Sequence, residues 1–154
     1  MMKKFVYDFN EGNKDMRELL GGKGANLCSM ASLGLPVPEG FIITTEACNK
    51  YYEENETLPV AIEEEIYKHL RTLEEKTKKI LGDASKPLLV SVRSGARSSM
   101  PGMMDTILNL GLNDEVAASL SENMQNKRFV YDSYRRLIMM FLDVFMAGDK
   151  SLFE

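Results

Sequence analysis

The sequence has no tryptophan, one histidine, two cysteines and five prolines. With His69 alone there can be no histidine-rich metal cluster and no two-histidine relay. Cys28 and Cys48 are isolated, with no Cys-x-x-Cys spacing, which speaks against structural zinc and for a reducing, cytoplasmic setting. No run approaches the ~20 apolar residues of a spanning helix. Asp8 and Asn10 interrupt the start where a signal peptide would need an apolar stretch, so no membrane is expected as a partner. Basic side chains number 19 against 23 acidic ones, a net charge of −4. Nucleic acid, which rewards a strongly basic face, is therefore not an expected partner. What is present is 154 residues, 44% of them apolar, enough for the core of about one domain.

Alternation predicts a strand over 4–9, followed by a polar turn over 10–15. Apolar positions 27, 30, 31 and 33 before Gly34 predict a short helix over 25–33. A strand is expected over 41–43, then a helix over 46–54 capped by Thr44 or Thr45. The clearest helix opens at Pro59, with Ile62, Ile66, Leu70, Leu73, Thr77 and Ile80 on one face and Gly82 as its end. Glu64–Lys68, Glu74–Lys78 and Glu75–Lys79 are candidate i,i+4 ion pairs on it, and Glu63 to Glu65 read as a solvated acidic patch. His69 reads as an ordinary surface histidine.

Residues 87–92 read as a buried strand running into a serine-, glycine- and methionine-rich loop, and 106–110 as a further strand. Beyond Asn113 the pattern is helical, with one helix over 115–124 capped by Asn113 or Asp114 and another over 128–147. Between Leu137 and Ala147 only Asp143 is not apolar, so that helix is expected to be buried on several sides. With seven residues after Ala147 there is little to cover it, and the expectation is a chain cut short of its covering elements.

Two loops look chemical. Gly21-Gly22-Lys23-Gly24 precedes a helix, where unpaired amides and a lysine suit an anion, although no Walker motif is present. Arg93 follows a strand directly, so its guanidinium would project from a sheet edge and could grip phosphate oxygens with two prongs. The next thirteen residues combine three serines, Arg97, Met100, Met103 and Met104. Small residues and soft apolar side chains suit a mobile lid over a nucleotide. No paired carboxylates suggest acid–base work, no histidine neighbours a cysteine in sequence, and no GxSxG elbow surrounds a serine. Asp105 is a single carboxylate and not by itself a magnesium site.

Three blocks, Leu20 to Leu27 (LGGKGANL), Gly34 to Phe41 (GLPVPEGF) and Ser91 to Leu112 (SVRSGARSSMPGMMDTILNLGL), resemble the N-terminus of the pyruvate, phosphate dikinase family. The third is the most specific, because pyruvate, water dikinases share the first motif and Val-Arg-Ser but diverge after the arginine. The resemblance implies an α+β chain: an ATP-grasp N-terminal subdomain over 1–112 and the start of a helical insertion over 113–154. It implies that this domain transfers phosphoryl groups from ATP to a histidine on a swivelling domain, and that a barrel domain passes them to pyruvate. It further implies ATP contacts at Lys23, Arg93, Arg97, Gly102, Met103, Asp105 and Thr106. ATP and Mg2+ are the implied cofactors, with the metal ligands and the phosphohistidine outside this chain; His69 does not match that histidine. The parent is then a cytoplasmic homodimeric phosphotransferase, and this chain alone is inactive. The competing readings are a pyruvate, water dikinase-like kinase, a non-catalytic nucleotide or anion-binding module, and a helical interaction domain built on 113–154.

Overall fold

A computed structural model describes residues 3–95 and 106–146. Its elements mix helices with short strands, as an α+β chain should, and the strands form three two-stranded sheets. The described residues fall into two compact units, 3–76 with Gly95, and 77–94 with 106–146.

In the first unit, β1 (Val6–Asp8) and β2 (Phe41–Ile43) pair antiparallel, with Val6 opposite Ile43 and Asp8 opposite Phe41. Between them in sequence runs α1 (Arg17–Ser32), then come α2 (Thr45–Glu53) and α3 (Val60–Thr77). Val6, Leu20, Ala25, Cys28, Ala47, Ile62 and Leu73 form the core. Of the two candidate caps, Thr44 is the one used: its hydroxyl accepts the Ala47 amide at 3.2 Å.

The polar row of α3 corrects two expectations. Glu65 is not part of a solvated patch. Its carboxylate accepts the Phe5 amide at 3.0 and 3.2 Å and the Val6 amide at 3.0 Å, standing in for a further strand beside β1. One turn on, His69 is only 12% exposed, and its Nδ1 lies 2.9 Å from Asp8 Oδ1. Lys76 Nζ reaches the other Asp8 oxygen at 3.5 Å. Glu65, His69 and Lys76 share a helix face, so the polar stripe of α3 docks β1 while Ile62 and Leu73 fill the core.

The helix also ends earlier than its apolar period suggests. Lys78 adopts φ 55°, which breaks the helix after Thr77, and Ile80 starts β3 (Ile80–Leu81) instead. Lys78 and Lys79 therefore leave the helical face on which i,i+4 pairs with Glu74 and Glu75 are expected, and Glu64–Lys68, which lies inside α3, is not among the ion pairs of the described residues.

The second unit pairs β3 in parallel with β4 (Pro87–Leu88), and β5 (Val90–Arg93) antiparallel with β6 (Thr106–Leu110). The expected single buried strand over 87–92 is thus two short strands broken at Leu89. Only Leu88 in it is buried, and Val92 is 46% exposed. A two-stranded ribbon cannot cover both of its faces.

Two helices follow, α4 (Asp114–Asn123) and α5 (Lys127–Phe141). Asn113 caps α4, accepting the Val116 amide at 2.8 Å, while its own amide nitrogen donates to the Gly82 carbonyl at 3.0 Å. The predicted helix over 128–147 stays α-helical to Phe141 and continues as a π turn over Leu142–Met146. It is not buried on several sides. Val130 and Leu137 face the core with Ile107, Val116 and Ala117, whereas Ile138, Phe141 and Phe145 are exposed. An open apolar groove of about 300 Å³ runs between Leu110, Leu112 and the α5 residues Tyr134, Ile138 and Phe141.

Candidate functional site

The glycine-lysine motif is not a loop ahead of a helix but a break within one. Residues 17–20 are helical, Gly21 departs to φ 73°, ψ 166°, and the helix resumes. That backbone region is essentially open to glycine alone. Gly21, Gly22 and Gly24 are all buried, which removes the reading of a solvated turn. Gly24 is closely packed for a different reason: a Cβ there would meet Ile42 Cδ1 at 3.1 Å and Leu20 Cβ at 3.3 Å, so those side chains would have to shift. The result puts Lys23, half-buried, on the first turn of the resumed helix, the end of a helix that favours negative charge. Gly21→Ala is expected to cost about 2 kcal/mol, since alanine must hold a strained backbone there. Urea denaturation followed by circular dichroism checks this; an unchanged midpoint would remove the backbone requirement.

In the second unit Arg93 is the last residue of β5 and stands opposite Thr106, the first residue of β6. The strand pairing therefore brings Arg93 and Thr106 together. The Arg93 Nε donates to Ser91 Oγ at 3.3 Å. Its side chain is exposed, and among the described residues it has no carboxylate partner. Between Val90 and Val92 the register slips: Val90 pairs with Leu110 and Val92 with Ile107, so β6 sets Leu108 and Asn109 against Ser91 alone. Asn109 takes the left-handed conformation, φ 58°, that makes this bulge possible. Arg97, Gly102, Met103 and Asp105, and with them the expected lid over 94–105 beyond Gly95, lie outside the described residues.

The groups elsewhere are structural in character. Asp8, Glu11 and His69 bring ligand-type atoms within 4.8 Å of one another. Asp8 is already bonded to His69 and Lys76, and Glu11 to Lys4 and the Asp8 amide. Two lysines at this cluster offset its negative charge, so it does not fit a magnesium ion, which wants uncompensated carboxylates and water. Burial pushes the Cys28 thiol above its ordinary range, which favours the protonated form. Among the described residues no helix is long and apolar enough to cross a membrane.

The geometry so far is a lysine at a helix break and an arginine at a strand end. The sequence matches the family described as pyruvate phosphate dikinase, AMP/ATP-binding domain, over residues 17–86 and again over 54–136. The chain belongs to this family. The pyruvate, phosphate dikinase of Clostridium symbiosum is 56% identical over 153 residues, covering 99% of this chain and 18% of the relative. The chloroplastic pyruvate, phosphate dikinase 1 of Oryza sativa subsp. japonica is 56% identical over 156 residues, 99% of this chain and 16% of the relative. The Rhizobium meliloti enzyme of the same name is 50% identical over 157 residues, with 99% and 18% covered. The chain thus spans 16–18% of the length of these relatives. Both Lys23 and Arg93 fall within the span matched by the family.

Proposed function

We propose that this chain is part of the nucleotide-binding domain of a pyruvate, phosphate dikinase of ATP-grasp type. The parent enzyme would interconvert ATP, pyruvate and phosphate with AMP, phosphoenolpyruvate and diphosphate through a phosphohistidine on a swivelling domain. The observation that carries this reading is 56% identity across 99% of the chain to a protein of that name. In the proposal residues 1–112 belong to the ATP-grasp N-terminal subdomain and 113–154 begin a helical insertion. Lys23, Arg93, Arg97, Gly102, Met103, Asp105 and Thr106 contact the nucleotide. Magnesium would accompany the nucleotide, neutralising phosphate charge, on ligands outside these 154 residues. The parent is proposed to be a cytoplasmic homodimer.

The chemistry asked of these residues is modest, which suits what is present. Phosphoryl transfer needs positioning and charge stabilisation more than covalent participation. A lysine on the first turn after a helix break and a guanidinium at a strand end supply positive charge at defined places. The test uses the full-length enzyme and, in parallel, the 154-residue chain. The full-length enzyme should release AMP from ATP only when phosphate is present, and should form phosphoenolpyruvate once pyruvate is added. The 154-residue chain should form none. ADP as the sole nucleotide product, or phosphate-independent AMP, would overturn the dikinase reading, and turnover by the chain alone would overturn the assignment of missing parts.

A further inference from the structure

Side chains of β5 alternate, so Val90 and Val92 share one face while Ser91 and Arg93 share the other. Arg93 is directly opposite Thr106, and opposed residues of an antiparallel pair present their side chains to the same face. One face of the ribbon therefore carries a hydroxyl, a guanidinium and a second hydroxyl. The other carries Val90, Val92 and the buried Ile107. An exposed serine in a short strand is poorly explained by strand preference, which favours β-branched and aromatic residues. The bulge adds a second peculiarity at the same position, because Leu108 and Asn109 together face Ser91 and leave it without a single cross-strand counterpart. Its hydroxyl is engaged along its own strand instead, accepting from Arg93 Nε at 3.3 Å.

Which nitrogen is bonded matters. The guanidinium is planar, and a bond at Nε restrains rotation about the end of the side chain while leaving both terminal nitrogens free. Those two form the edge that grips an oxyanion with parallel bonds. We infer that Ser91 is a positioning residue: its hydroxyl sets the plane of the Arg93 guanidinium so that the terminal edge faces a phosphoryl oxygen. The inference rests on the reading of Arg93 as a phosphate contact. Ser91 touches no phosphate itself and acts through Arg93.

A double-mutant cycle in the full-length enzyme tests this, with the rate of AMP formation from ATP and phosphate as the readout. Ser91→Ala is expected to lower that rate about five- to tenfold, the effect of a hydrogen bond to a charged group in a solvated setting. Ser91→Thr, which keeps the hydroxyl and suits a strand, should stay within about twofold of the parent. In an Arg93→Ala background, Ser91→Ala should change the rate less than about twofold, because the group it positions is gone. A loss from Ser91→Ala that is equal in both backgrounds, or no loss at all, overturns the inference, as does failure of Ser91→Thr to restore the rate. If Arg93→Ala itself leaves the rate unchanged, the phosphate-contact reading fails first and the role of Ser91 fails with it. The thermal midpoint of each variant, followed by circular dichroism, guards against misfolding, and the threonine variant keeps the test decisive should the alanine variant unfold.

Discussion

Arg93→Ala in the full-length enzyme is expected to slow AMP formation by about a hundredfold or more, roughly 3 kcal/mol of transition-state stabilisation. The charge lost is one that the fold does not otherwise use: among the described residues no carboxylate pairs with Arg93, and its bonded partner is the neutral Ser91. Such a group contributes little to stability, so its removal should act on chemistry rather than on folding. In the proposed site, Lys23→Ala should slow the same partial reaction, because its charge stands on the first turn after the helix break. On the proposed mechanism, neither should affect the exchange of phosphoryl between phosphoenolpyruvate and a histidine on another domain, a step that needs no nucleotide. Arg93→Lys should fall between the parent and Arg93→Ala, because it keeps the charge and loses the two-pronged edge. Rapid-quench measurement of the two half-reactions separates these outcomes, and an equal loss in both halves would mean general misfolding.

The parts of this architecture that were legible in the sequence are those decided locally. Thr44 and Asn113 announce helix starts because a short polar side chain can reach an amide three residues on, and both do. Gly34 stops α1 as expected, at φ 74°. What was hidden is decided by partners distant in the chain. Three glycines in four residues have poor helix propensity and read as a loop. In the structure the segment stays helical apart from the kink at Gly21, and Gly24 packs closely on Ile42. Glu65 looks like its neighbours Glu63 and Glu64 until β1, some sixty residues earlier, brings two amides to its carboxylate. The apolar run at 87–92 promised burial, but only Leu88 is buried, and Leu89 and Val92 are 36% and 46% exposed. For the proposed site, residue type and position made Lys23 and Arg93 candidates, and the family resemblance supplied their role as phosphate contacts. The cross-strand partner Thr106 came from the family resemblance, and the pairing with Arg93 came from the register. Ser91 was within reach of the alternation rule, since i and i+2 share a strand face, but nothing in the sequence announced the bulge opposite it.

Gly111→Ala is expected to be among the most damaging single changes to stability in the second unit. Gly111 follows β6 directly, where the chain turns toward the cap of α4, and it does so at φ 118°. A Cβ there would lie 2.4 Å from the Leu88 carbonyl oxygen, 3.0 Å from Leu81 Cδ1 and 3.3 Å from Leu89 Cδ2. The first contact is the serious one, because it is with backbone. Leu88 is the end of β4 and is paired to Leu81 in β3, so its carbonyl cannot swing aside without disturbing that pair. Side-chain contacts at 3.0 Å and beyond can relax, but an oxygen held by a strand does so only by moving the strand. Strained backbone and clash together should cost about 3 kcal/mol or more. With a urea dependence of ~2 kcal/mol per molar, that lowers the unfolding midpoint by roughly 1.5 M. Gly34→Ala, in the first unit, is a comparison: its φ of 74° also favours glycine, yet a Cβ there meets nothing within 4 Å. It should cost only about 1 kcal/mol. A markedly larger loss for Gly111→Ala would point to the contact with Leu88 as a cost beyond the conformational preference of glycine. If the two variants lose equal stability, then backbone strain alone governs both turns, and the close approach of Gly111 to β4 contributes nothing to holding the second unit together.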